Sequence, residues 1–279
     1  MAKNRKQFIA VLGLFTRRLA IDLSSSVLVV GGSDSDASSL LDIGFKNIVL
    51  SNLDGVDSDY REKIKIIKVD LENSPLRERV FDIVFIHEVL HHCRSPHKAL
   101  CEALRMARKY VIMLEPNDSS LMRVLTRLQL SFPYEIAAVV DNGFVGGGVR
   151  NSGIPSYIYR WTVRETFKTT ASFLAEYNFD IDPFPYWDFS IDSFQLSLRK
   201  QTRIPLIANL IGPDNFLGFL KVVQFAANSV PLLRKQGNKY FCVIEKGDSL
   251  KPWLTEAGEK IIFNHNFDSP GKKQNLLKA

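Results

Sequence analysis

Between residues 26 and 116 short apolar runs alternate with stretches whose apolar positions recur three and four apart. SVLVV (26–30), NIVLS (47–51), IKIIKVD (64–70), FDIVFIH (81–87) and KYVIMLE (109–115) are rich in β-branched residues and too short for helices, which predicts five strands. Between them, ASSLLDIG (37–44) ends on Gly44, suited to a helix C-terminus. PHKALCEALRMAR (96–108) starts on a proline and sets Leu100, Ala103, Leu104 and Ala107 on one face. Strands this apolar, separated by helices, predict a parallel sheet covered on both sides. The expected fold is therefore α/β, a doubly wound three-layer sandwich. Ligands in such sheets bind beyond the carboxyl ends of the strands. The chemistry belongs at 31–36, 51–54, 70–72, 87–92 and 115–118.

Outside that block the pattern is less regular. Phe8, Leu12, Phe15 and Leu19 predict an N-terminal helix over about 4–21, either packed on the domain or, with its flanking Lys and Arg, lying on a membrane. No small-residue cleavage site follows it, which argues against a secretion signal. Residues 119–130 read as an amphipathic helix, 142–161 as a glycine-rich stretch ending in aromatics, and 162–177 as a helix with Thr162 and Glu165 at capping-box spacing. FDIDPFPYW (179–187) holds a strand, and KYFCVIEK (239–246) is the last one. Residues 199–239 set Arg199, Lys200, Arg203, Lys221, Arg234, Lys235 and Lys239 against one acid, Asp214, around apolar IPLIANLIG and FLGFLKVVQFAA. We expect one domain over 1–248, with a helical cap from 118–161 and 190–238, and a mobile tail over 249–279.

Composition narrows the partners. The 279 residues are 46% hydrophobic and 24% charged, enough to bury a full core, with a formal net charge of +6. The basic balance suits an anionic ligand or a membrane surface. No Lys/Arg stripe is interleaved with stacking aromatics, so nucleic acid is not an expected partner. Cys93, Cys101 and Cys242 are scattered and odd in number, which fits a reducing cytoplasm rather than a disulfide scaffold. His92, Cys93 and His97 lie close together, but no second ligand cluster follows, so no metal is expected.

The stretch VLVVGGSDSDASSL (27–40) carries the first chemical signal. A strand, a double glycine and a helix start resemble a nucleotide cradle, yet Asp34 and Asp36 would repel a pyrophosphate. A phosphate-free nucleoside bearing a sulfonium and an ammonium, S-adenosylmethionine, suits acids and hydroxyls there. Ser and Asp are also ordinary helix caps.

In order and spacing, VDLENSPL (69–76), FDIVFIHEVLHHCRSPHKALCEALRMA (81–107) and YVIMLEP (110–116) resemble the small-molecule class I methyltransferases that use S-adenosylmethionine. The resemblance implies a Rossmann-like, seven-stranded, mostly parallel sheet with an antiparallel last strand. It implies Gly31, Gly32, Ser33, Asp34 and Asp36 around the methionine part, Asn52 and Asp54 at the ribose, and Asp70 and Leu71 at the adenine, with His87 closing the cofactor site. His87, His91, His92 and Glu115 would then border the transferred methyl as candidate catalytic groups, since a hydroxyl acceptor needs a base. Arg150, Tyr157, Tyr159, Arg160 and Trp161 form a candidate substrate lid or wall, hinged at glycines 146–148. The chain departs from the family at Val29 and Asn52, where acids are usual, and lacks a Pro-Gly-Gly turn before the fifth strand. The expected activity is methyl transfer to a small acceptor, first of all an oxygen on a sugar, lipid-linked or natural-product intermediate. The expected location is cytoplasmic, with peripheral membrane contact as an option and oligomeric state open. The alternatives are an inactive binding protein on the same sheet and an NAD-dependent oxidoreductase.

Overall fold

In the computed structural model, which describes residues 6–54, 58–189 and 202–267, the apolar runs pair into one seven-stranded sheet. Its strands are β1 (Ser26–Val30), β2 (Asn47–Asn52), β3 (Lys65–Lys68), β4 (Phe81–His87), β5 (Ala107–Pro116), β6 (Tyr177–Tyr186) and β7 (Lys239–Leu250), in the order β3-β2-β1-β4-β5-β7-β6. The first five run parallel, and β7 is antiparallel to both β5 and β6. This is the Rossmann-like sheet and the antiparallel last strand that the resemblance implies.

Two cores follow from the period-2 alternation of the strands. Val27 and Val29 face one side with Leu50, Phe85 and Phe241, beneath helices α1 (Lys6–Arg18) and α2 (Asp34–Ile43). Leu28 and Val30 face the other with Val84, Ile86 and Met113, beneath α3 (Pro96–Met106) and α6 (Val163–Phe173). Phe8, Leu12 and Phe15 of α1 are all buried in the first core. That helix therefore has no apolar face left for a membrane, and the packed alternative holds. Its helix mate α2 starts three residues earlier than its apolar pattern, because Asp36 accepts the Ser33 backbone N–H at 2.8 Å and opens the helix at Asp34. It ends at left-handed Gly44 (φ 110°), whose N–H donates to Leu40 and Leu41 carbonyls.

The cap comprises α4 (Ser120–Arg127) and α5 (Ile136–Asp141), then α7 (Ile204–Ile211), α8 (Pro213–Ser229) and α9 (Pro231–Arg234). Residues 190–201, with Arg199 and Lys200, lie outside the described residues. Only Ile204, Ala208 and Phe216 of α7 and α8 are buried, against Leu130 and Leu220, in a small third core. Leu206, Phe219, Val222 and Leu232 are exposed, and Leu210 and Phe225 are 84% and 77% exposed. Among the described residues no single helix is long and apolar enough to cross a membrane, and the α7–α8 pair is bent by 109° at its break.

The polar stretch after 249, expected as a mobile tail, holds strands among its described residues. There β7 continues to Leu250, and β8 (Leu254–Ala257) pairs with β9 (Lys260–Phe263) around Gly258 at φ 64°. The local pattern Lys260-Ile261-Ile262-Phe263 has high strand propensity, which the overall polarity of the region masks. Residues 268–279 lie outside the described residues.

Candidate active site

The carboxyl ends of β1, β2 and β4 and the turn after β3 open into a cavity with about 790 Å³ of empty space, its mouth included. Its lining combines Gly31, Asn52, Asp70, Leu71, Glu72, Glu88, Val89 and His92 with Gly147, Gly148, Arg150 and Asn151 from the glycine-rich stretch. Gly31 sits at φ 59°, and a Cβ there would stand 2.6 Å from Val89 Cγ2, so only glycine lets the chain turn out of β1 beside β4. A Cβ on Gly32 would meet Leu50 Cδ1 at 2.3 Å, which makes that glycine a packing requirement.

Glycines aside, the turn after β1 is self-contained. Asp36, buried, accepts from the Ser33 N–H and hydroxyl, each at 2.8 Å, and pairs with His87 Nδ1. Burial opposes its ionisation, but His87 and Ser33 outweigh burial and hold its carboxyl below the usual range. The same pair, working against burial, raises the His87 imidazole. His87 also stacks on Phe8, with ring centroids 4.6 Å apart. Asp34 accepts from the Ser58 hydroxyl and the Asp59 N–H. Neither acid, nor Ser33, nor His87 lines the cavity. The charge argument drawn from Asp34 and Asp36 therefore finds no support: they cap and tie the fold.

The turn after β4 is built differently. Glu88 adopts a left-handed backbone (φ 54°) that swings the chain off the strand, and its carboxylate pairs with Lys239 at the start of β7. Burial opposes its charge, but Lys239 prevails and holds Glu88 down at about 2. Glu115, wholly buried at the end of β5, accepts the N–H groups of Val89 and Leu90, both at 2.8 Å, with one oxygen. Its other oxygen accepts from His91 Nδ1 at 3.0 Å. On the far side of that ring, His91 Nε2 lies 3.0 Å from Glu135 Oε2, and His92 Nε2 lies 3.3 Å from the same atom. Burial opposes a charged His91, yet Glu115 and Glu135 lift it to about 10, while burial and that neighbour push His92 down. His91, His92 and Glu115 thus come together as one cluster, with His92 reaching the cavity wall.

Past Gly148, Arg150 alone among the five candidate lid residues lines the cavity. Its guanidinium bridges Asp70, at 2.7 Å, and Glu72, at 2.9 Å. Glu72 also accepts from Ser95 and Arg94 backbone N–H groups. Asn52 turns its Oδ1 onto the Leu53 N–H at 2.7 Å, and Asp54 takes Asn151 rather than facing the cavity. Tyr157 is 54% exposed and packs edge-on against Tyr134. Tyr159 donates to Glu165. Arg160 donates to the Phe132 carbonyl at 2.6 Å, and Trp161 is wholly buried in the second core. None of these four lines the cavity: Tyr159, Arg160 and Trp161 are spent on bonds and packing within the fold, and Tyr157 lies against Tyr134. Sequence reasoning missed Glu72, Glu135 and Lys239. Glu72 was adjacent to the Asp70-Leu71 pair, but Glu135 carries no local signal and is joined to the site only by tertiary folding.

A methyltransferase domain family matches residues 32–114, the span from Gly32 to the last residue before Glu115. Over that span the chain is similar to a methyltransferase domain. Solved structures with similar backbones include the YcgJ protein of Bacillus subtilis, at 11% identity and a TM-score of 0.46 over 86% of this chain and 99% of that one. An S-adenosylmethionine-dependent methyltransferase of Archaeoglobus fulgidus gives 14% and 0.42 over 86% and 94%. The Synechocystis magnesium protoporphyrin IX methyltransferase, solved with bound S-adenosylhomocysteine, gives 13% and 0.42 over 64% and 75%. No curated protein matches the chain in sequence. The cofactor of such a methyltransferase domain is S-adenosylmethionine, which leaves the nicotinamide alternative without support. The cavity suits that molecule in size.

Proposed function

We propose that this methyltransferase moves the methyl group of S-adenosylmethionine to an oxygen of a small amphiphilic acceptor taken up at a lipid surface. The observation that carries the reading is the uncovered apolar arm of α7, α8 and α9, mounted at the cavity's end of the sheet. Asn117 and Ser119, just past β5, bond the Gly237 and Gln236 carbonyls at 2.7 and 2.8 Å and seat the arm there. Exposed Leu206, Leu210, Phe219, Val222, Phe225 and Leu232 far exceed the scattered apolar residues of an ordinary surface. Arg203, Lys221, Arg234 and Lys235 surround them with Asp214 as the one acid, which complements an anionic bilayer. The reading carries with it a cytoplasmic location, peripheral at the membrane.

In this scheme Gly31, Asn52, Asp70 and Leu71 hold the cofactor, which when bound supplies an electrophilic methyl group on sulfur. The chain's contribution is placement: methyl transfer is an in-line displacement, and fixing the acceptor oxygen on that line lowers the barrier more than any single polar group. His92, at the cavity wall, accepts the hydroxyl proton, and Arg150 with Asn151 closes the mouth against water.

Labelled S-adenosylmethionine, incubated with the full chain and a total lipid extract in vesicles containing phosphatidylglycerol, tests this. Label should partition into the organic phase, and a Leu210→Ser/Phe225→Ser variant should lose vesicle flotation while keeping its calorimetric affinity for S-adenosylhomocysteine. Label found only in water-soluble product would sink the amphiphile. A second reading, an inactive binding protein, draws on Arg150, whose guanidinium already occupies Asp70. It predicts no heat with S-adenosylhomocysteine, even at millimolar ligand, and restored binding in Arg150→Ala.

A further inference from the structure

We infer that His91, His92 and Glu135 bind one divalent transition-metal ion of the zinc class. Their ligand atoms lie within 4.8 Å of one another. The carboxylate oxygen of Glu135 stands 3.0 Å from one Nε2 and 3.3 Å from the other. An ion about 2.0–2.1 Å from each of its ligands holds them roughly 3.3–3.4 Å apart in a tetrahedral site, so small adjustments would seat it.

Hydrogen counting gives the stronger argument. His92 Nδ1 lies 3.3 Å from the Gly148 carbonyl, which can only accept and so favours a ring hydrogen at Nδ1, and 3.0 Å from the Ser156 hydroxyl, which can accept from it too. His91 Nδ1 faces the Glu115 carboxylate, which also only accepts. With both rings neutral and both hydrogens at Nδ1, the two Nε2 lone pairs lie within 3.3 Å of one carboxylate oxygen. Three electron-pair donors then converge, and either a second proton on His91 or one metal ion closes them. The outer contacts match what metal-bound imidazoles need: the distal Nδ1–H of one held by a carboxylate, that of the other by a backbone carbonyl. Glu115 is itself fixed by two backbone N–H groups, which makes the His91 ring rigid before any ion arrives.

Two imidazoles and a carboxylate suit zinc, or iron(II) and cobalt(II) in similar geometry, rather than magnesium or calcium. Glu135 is 35% exposed and His92 partly so, which leaves an entry path and a fourth position for water. His92 also lines the cavity, and an ion on its Nε2 would take the lone pair that the methyl-transfer reading gives to a base, so the assignment is tested with the metal alone.

The full chain, stripped with a chelator and titrated with Zn²⁺ by calorimetry, should take up one ion per chain. Co²⁺ in its place should develop visible ligand-field bands. His92→Ala and Glu135→Gln should each abolish both signals, and circular dichroism should report unchanged fold because neither side chain is fully buried. His97→Ala, at the surface pair with Glu165, should leave binding untouched. Glu115→Gln should weaken it by about 10–100-fold. No uptake of either ion, showing that a proton closes the cluster, would overturn the inference, as would full uptake in both His92→Ala and Glu135→Gln.

Discussion

The turns after β1 and after β4 are both polar and both sit at the carboxyl end of the sheet, yet their carboxylates work in opposite ways. After β1, Asp36 accepts from Ser33 and pairs with His87, and Asp34 takes Ser58 and Asp59, so each acid finds a hydrogen donor within the fold. After β4, Glu115 is satisfied in the same manner, but Glu135 is shared by two ring nitrogens, His91 Nε2 and His92 Nε2. An acid in a loop is thus weak testimony about ligands. Ligand atoms that converge from separate elements say far more.

Removing Glu115 should do the greatest damage. Glu115→Ala strands two backbone N–H groups and one buried imidazole, and we expect a loss of about 3–5 kcal/mol in urea unfolding. A loss below about 1 kcal/mol would mean that the turn after β4 is not built on this carboxylate.

Next comes Asp36→Asn, which keeps shape but removes the charge facing His87, and should cost about 1–3 kcal/mol near pH 6. Its pH dependence has a definite sign. Asp36 is lowered in the fold, so its contribution is present above about pH 4 and lost as pH falls through the folded value. His87 is raised, so its contribution is full below about pH 6.5 and lost as pH rises through its folded value. Glu88 and Lys239 also face His87 and oppose each other there. The stability difference between the native chain and Asp36→Asn should therefore peak between about pH 4 and 6.5, and a flat difference would break the pairing.

The smallest effect belongs to Asp34→Asn. Its contacts with Ser58 and Asp59 only tie one loop to α2, so stability should fall by less than about 1 kcal/mol. Affinity for S-adenosylhomocysteine, read by calorimetry, should stay within twofold. A tenfold drop would return the turn after β1 to the ligand site and erase the contrast.

The sheet was legible because its information is local. SVLVV, NIVLS, FDIVFIH and KYVIMLE each carry the apolar density of a doubly covered strand, and β1, β2, β4 and β5 form at those places. The cavity's floor, Asp70, Leu71, His92 and Gly31, follows from the ends of those strands. Trp161 and Tyr159 were misplaced because aromatics beside glycines look alike whether they face a ligand or a core. Glu135 was invisible for another reason: it comes from the segment entering α5 and meets His91 only once the cap folds back over β4. The hairpin of β8 and β9 was hidden by averaging, since the charges around Ile261 and Ile262 lower the polarity contrast of the whole stretch.

The position of β7 sets the order in which this molecule can assemble. It lies between β5 and β6 but leaves the ribosome after both of them and after the α7–α8 arm. Until it arrives, β5 presents a bare edge and β6 has no neighbour to pair with, so a nascent chain carries an open sheet beside a sticky arm. Insertion of that one strand zips both edges at once, which makes the closing of that half of the sheet a single event that waits until the arm has been made.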